Sequence, residues 1–178
     1  MLELLAAHDA RATFFVVGRF VAERADVVAR AVAAGHELGN HTFDHVDAAH
    51  EKDDDFLRDQ ISRTNAAIER VAGAPPRLIR PPYGKDVARL ARLAGELGLE
   101  QTVLWSAQGW DWDTTPADEI AALVLRDCGP GGIVVLHDGV PPDGGPSRRP
   151  MLAALDKILG ALKRDGYELV TVSGLLAA

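Results

Sequence analysis

Short apolar, β-rich runs alternate with amphipathic helical runs along this chain, and glycines stand where most of the helical runs end. Ala12–Val17 is apolar on both faces, the pattern of a buried parallel strand. Residues 19–34 follow with helical spacing, and Gly35 occupies the C′ position, where a left-handed backbone stops a helix. Glu37-Leu38-Gly39 reads as a brief strand. Asp53-Asp54-Asp55 open a helix over 53–72, because acidic residues suit the partial positive charge of a helix start. Leu57, Ile61, Thr64, Ala67, Ile68 and Val71 form its inward stripe, and Gly73 ends it. Then come a strand over Leu78–Arg80, a helix over 86–97 closed by Gly98, and a strand over Glu100–Trp105. Ser106–Thr115 reads as a polar, aromatic loop, followed by a helix over 117–127 behind Pro116. A strand over Ile133–Leu136, a Gly/Pro-rich loop over 140–150 lying across a strand end, a helix over 151–164, a strand over Tyr167–Val172 and a short helix complete the chain. The opening residues 2–8 resemble the last turns of a helix. Such alternation implies a parallel sheet with helices outside it, as a barrel or an open sheet.

A chain of 178 residues, 47% hydrophobic and 25% charged, fits one domain over residues 1–178. Its net charge of −7 removes the basic footprint of a nucleic-acid or anionic-lipid binder. The one cysteine, Cys128, rules out an internal disulfide framework and reads as structural. No run approaches the roughly 18–20 apolar residues of a membrane span. Met1-Leu2-Glu3-Leu4-Leu5 lacks the basic start of a signal peptide, so the chain as it stands is expected in the cytoplasm.

In parallel α/β folds the chemistry collects at the carboxyl ends of strands. Four expected strand ends carry reactive side chains: His41 and His45, Arg80 and Tyr83, Asp111 and Trp112, His137 and Asp138. Two imidazoles four residues apart on a tight backbone make half of a site for zinc or a similar divalent ion. Taken alone, the pair equally suits two surface histidines. It is not a zincin helix, since Thr42 stands where that pattern needs Glu.

With Arg11–Val16 and Tyr167–Val172, the segments Asn40-His41-Thr42-Phe43-Asp44-His45, Arg80-Pro81-Pro82-Tyr83-Gly84, Trp105 through Asp111-Trp112, and Leu136-His137-Asp138 span almost the whole chain. In this order they resemble the polysaccharide deacetylase domain, carbohydrate esterase family 4, also called the NodB homology domain. The resemblance implies a deformed (β/α) barrel of parallel strands. It also implies a metal-dependent hydrolase that removes N-acetyl groups from an N-acetylated polysaccharide or oligosaccharide of peptidoglycan or chitin type. By position, His41 and His45 resemble metal ligands, for zinc first, with cobalt, nickel and iron also suited to such donors. Arg80 resembles the arginine that orients the catalytic base, and Tyr83 offers a backbone N–H to the oxyanion. Asp111 holds His137, which is the general acid for the leaving amine. Trp112 and Leu136 wall the pocket for the acetyl methyl. The residue types suit the reaction: an amide needs its carbonyl polarised, and its amine leaves only with a proton from a positioned acid.

The family's first motif, Thr-Phe-Asp-Asp-Gly, which brings the catalytic base and a third metal ligand, does not occur in this sequence. Met1 falls inside the helix that would follow that strand, so the domain reads as N-terminally truncated, with its first strand missing. Gln108 stands where many members have aspartate. Asp44, Asp47 and Asp138 are the nearby carboxylates for a vacant ligand position. Losing a strand would leave a sheet edge open, so self-association through that edge is expected. The alternative to a working deacetylase is a catalytically impaired relative that binds glycan or is only structural.

Overall fold

A computed structural model describes residues 1–51, 53–113, 115–139 and 147–178. In chain order the first elements are α1 (Leu2–Ala7), β1 (Thr13–Val16), α2 (Gly18–Glu23), α3 (Ala25–Ala33), β2 (Glu37–Asn40) and α4 (Asp54–Ala72). Next come β3 (Leu78–Ile79), a 3-10 turn (Pro82–Gly84), α5 (Val87–Glu96), β4 (Gln101–Thr102) and β5 (Ala107–Gln108). The last are α6 (Ala117–Asp127), β6 (Val134–Val135), α7 (Arg149–Arg164) and α8 (Val172–Leu176). The chain forms two compact units, residues 13–104 and residues 1–12 with 105–178. Of the loop expected over 140–150, residues 140–146 lie outside the described ones.

In the 13–104 unit the strands pair in parallel in the order β1-β2-β3-β4. The register runs from Thr13↔Glu37 to Val16↔Asn40, and Asn40↔Ile79 and Ile79↔Thr102 extend it. Parallel neighbours need a crossover, which the intervening helices supply. Helix α4 ties this unit together. Asp53 caps it by accepting from the Asp55 N–H at 2.8 Å, and Gly73 ends it at φ 79°. Its stripe serves two apolar clusters: Leu57 and Ile61 join Ile79, Leu90 and Leu93, while Ala67 and Ile68 join Val21 and Leu38.

The approach of α2 to α4 is close enough to forbid a side chain at Gly18. A Cβ there would stand 2.6 Å from Thr64 Oγ1 and 2.7 Å from the Phe43 ring. Gly18→Ala is therefore expected to destabilise the fold by about 1–3 kcal/mol, read as a lower urea midpoint at unchanged slope. An unchanged midpoint would mean that Phe43 and Thr64 yield freely.

In the other unit β5 and β6 pair in parallel, Ala107↔Val134 and Gln108↔Val135. Ile120, Val124, Ala154, Ile158 and Leu162 of α6 and α7 make its core, with Leu136, Tyr167 and Leu169 packed against it. Cys128 packs there too, and burial pushes its thiol up, which suits a structural residue.

The expected parallel α/β architecture is present, and the ladders form one four-stranded and one two-stranded sheet. Four expectations need correction. β1 is only partly buried along its length. The helix over 19–34 is two helices, broken at Arg24 (φ −124°, ψ 32°). The break keeps the hydrogen bonds from Arg24 N to Phe20 O and from Val28 N to Arg24 O, so packing of both pieces on α4 sets it at little expense. β5 lies inside the expected polar loop, because pairing with β6 rather than apolar alternation defines it. Tyr167–Val172 makes no strand among the described residues. Tyr167 and Leu169 pack against α6 and α7, and the Leu169 carbonyl accepts a hydrogen bond from the Arg11 N–H at 2.8 Å. No helix among the described residues is long and apolar enough to cross a membrane.

Candidate active site

In the 13–104 unit the chain leaves β2 at Asn40 and turns sharply through His41–His45. Thr42 (φ 62°) and His45 (φ 58°) are both left-handed, a conformation that costs a non-glycine residue about 1–3 kcal/mol and persists only when its surroundings enforce it. The enforcement is visible. The Asn40 side chain, fully buried, accepts from Thr42 N at 2.8 Å and donates to Ile61 O at 2.9 Å and Asn65 Oδ1 at 2.7 Å. Buried Gln60 accepts from Asp44 N at 2.8 Å and donates to Asp44 Oδ2 at 2.9 Å. The Gly18 and Arg19 N–H groups donate to the Thr42 and Phe43 carbonyls.

The turn brings the His41 and His45 rings within 4.8 Å of each other, centroid to centroid. His41 Nδ1 lies 2.6 Å from the Arg80 carbonyl oxygen. A carbonyl only accepts, so Nδ1 carries the proton and the lone pair is left on Nε2, an arrangement also common in metal-binding histidines. Among the described residues no group of three or more His, Cys, Asp or Glu is arranged to hold a metal ion. Two imidazoles by themselves are one donor fewer than the three protein ligands usual for a catalytic metal. Asp44 is occupied by Gln60. Asp47 pairs with Lys85 at 2.7 Å, and that ammonium holds its carboxyl below the ordinary carboxylate value.

Arg80 and Tyr83 follow β3. The Arg80 guanidinium, 8% exposed, donates to the Val103 and Leu104 carbonyls and lies 4.2 Å over the Phe15 ring. Burial pushes its pKa down to about 10, which still leaves it cationic at neutral pH. Tyr83 sits in the 3-10 turn at φ 58°, largely exposed, with its ring edge-on to His45 at 4.8 Å. One unit thus gathers His41, His45, Arg80 and Tyr83.

The other unit gathers Asp111, Trp112 and His137. Asp111, 3% exposed, accepts from the His137 backbone N–H at 2.6 Å through Oδ2. Its Oδ1 lies 3.0 Å from His137 Nδ1, so the expected pairing is present. A carboxylate at that distance fixes the ring proton on Nδ1 and presents Nε2 outward. Trp112 meets the His137 ring edge-on at 5.2 Å. Leu136 packs toward the α6–α7 core. Three features went unread in the sequence. Arg148 donates to Asp111 O at 2.9 Å and to Gly139 O at 2.7 Å, tying together the two segments that carry Asp111 and His137. Trp110 meets the Trp112 ring edge-on, with centroids 4.9 Å apart. Gln60 left one cue, a polar residue inside the apolar stripe of a helix.

The polysaccharide deacetylase family model matches residues 1–102. The chain belongs to this family. A peptidoglycan-N-acetylglucosamine deacetylase of Bacillus cereus is 34% identical over 175 residues, covering 98% of this chain and 62% of that protein. A chitooligosaccharide deacetylase of Bradyrhizobium is also 34% identical, over 95% of this chain and 80% of its own length. The solved structure of a CE4 family pseudoenzyme from Bacillus anthracis superposes with a TM-score of 0.87 at 31% identity, covering 98% of this chain and 58% of that one. The chain therefore spans about three fifths of the Bacillus cereus and Bacillus anthracis proteins. The family is generally metal-dependent.

Proposed function

We propose that this polysaccharide deacetylase family protein is a metal-dependent hydrolase that removes N-acetyl groups from an N-acetylated glycan of peptidoglycan or chitin type by hydrolysing the C–N amide bond. The observation that carries this reading is the buried Asp111 carboxylate holding both the backbone and the ring of His137. An amide nitrogen leaves only when protonated, and His137 Nε2 is held to deliver that proton. Asp111 orients the ring by accepting its Nδ1 proton, the doubly protonated ring carries on Nε2 the proton that is delivered, and Arg148 positions Asp111 in turn. His41 and His45 would hold the divalent ion, zinc first, with cobalt, nickel or iron as alternatives. When bound, such an ion supplies carbonyl polarisation and a more acidic water. Arg80 contributes fixed positive charge, Tyr83 a backbone N–H toward the developing oxyanion, and Trp112 with Leu136 an apolar lining for the acetyl methyl.

A second reading, a glycan binder without turnover, draws on the two-histidine donor set and on the likeness to a CE4 pseudoenzyme. Incubation with N-acetylglucosamine oligomers and added zinc or cobalt separates the two. Acetate release supports the hydrolase; saturable oligomer binding with no acetate supports the binder.

A further inference from the structure

Trp110 is oddly placed for a residue with only a folding role. Its indole is 49% exposed, and its backbone is left-handed at φ 54°. Burying the ring and relaxing the backbone would both be favourable, so something holds this conformation. Gly109 is pressed against α6: a Cβ there would stand 2.6 Å from Ile120 Cγ2 and 3.0 Å from Ile120 O. On the other side the Trp110 carbonyl accepts from Thr115 Oγ1 at 3.0 Å and from Asp113 N at 3.2 Å. The backbone is thus braced on both sides while the residue stays half exposed. Trp110 meets Trp112 at 4.9 Å, and Trp112 meets His137 at 5.2 Å. An aromatic ladder thus runs from the proton-donating imidazole to an open indole.

We infer that Trp110 is a glycan-binding residue that stacks on the sugar neighbouring the one whose amide is hydrolysed, and so sets a preference for oligomers over single sugars. The inference rests on the deacetylase reading above. A pyranose presents a face of C–H groups, which match the electron-rich face of an indole, and the indole N–H can donate to a sugar hydroxyl. A large ring fixed in advance loses little conformational freedom on binding. One ladder step beyond Trp112, the stacked sugar would be adjacent to the reacting unit.

The test compares wild type with W110A and W110F on N-acetylglucosamine monomer and pentamer, by acetate release and by calorimetric binding of the pentamer. In W110A the pentamer-to-monomer ratio of kcat/KM should fall about tenfold or more, mainly through KM, and pentamer Kd should rise by a similar factor. W110F should recover most of both. Taking a ratio cancels any general loss of folded or active protein. If wild type acts on the pentamer but W110A changes both substrates equally, the stacking role is overturned and the deacetylase reading stands. Should wild type neither bind nor deacetylate either sugar, the deacetylase reading falls, and the inference falls with it.

Discussion

H137A is expected to release acetate roughly 10²–10⁴-fold more slowly than wild type, the usual loss when a positioned acid is removed. The loss should fall on kcat, because proton delivery belongs to the transition state and not to glycan binding. The fold should survive, since the His137 backbone N–H still donates to Asp111 Oδ2 after the ring is gone. D111N should give a comparable loss by another route. The native carboxylate accepts from two donors, His137 N at 2.6 Å and Nδ1 at 3.0 Å. An amide accepts through one atom only. If its oxygen serves the backbone N–H, its NH2 faces Nδ1 and opposes a proton there, so the doubly protonated ring that gives up its Nε2 proton is lost. An H137A enzyme within a factor of a few of wild type would remove His137 from the reaction.

What the sequence disclosed depended on periodicity and punctuation. Apolar runs ended by glycines or reactive residues marked β2, β3 and β6, so His41, Arg80 and His137 are found just past them. The Asp111–His137 contact was legible from the resemblance, and the pairing of β5, itself unread, with β6 brings the two segments together. The support around them was not. Asn40 reaches forward to α4 some twenty residues on, Gln60 of α4 reaches back to Asp44, and nothing local in the sequence announces either. Arg148 acts on Asp111 from 37 residues downstream. The kink at Arg24 contains no breaker residue, and β5 lacks alternation, because tertiary packing and pairing decide both. The metal donor set is the point at which residue pattern and geometry agree least. The spacing identified the His41/His45 pair, and the described residues add no third ligand of the usual kinds.

The histidine pair leads to the other large expected effect. Wild type loaded with zinc and freed of excess ion should retain close to one equivalent, whereas H41A and H45A should retain almost none by elemental analysis. With two imidazole donors, losing one leaves a monodentate contact, so the affinity loss should exceed the roughly 10–100-fold seen when only an outer hydrogen-bond partner is removed. Stability gives a second readout that does not involve turnover. Saturating zinc at about a hundred times Kd should stabilise wild type by about 2.7 kcal/mol, and that increment should vanish in both variants. The two variants should differ without metal. H41A also removes the donor to the Arg80 carbonyl at 2.6 Å, whereas H45A gives up an edge-on contact with the exposed Tyr83 ring. Metal-free H41A should therefore have the lower urea midpoint, by about 1 kcal/mol, the usual net worth of the hydrogen bond it loses. Unchanged zinc stoichiometry in both variants would show that these imidazoles are not the ligands. Loss in H41A alone would make Nε2 of His41 a ligand and leave His45 as a packing partner of Tyr83.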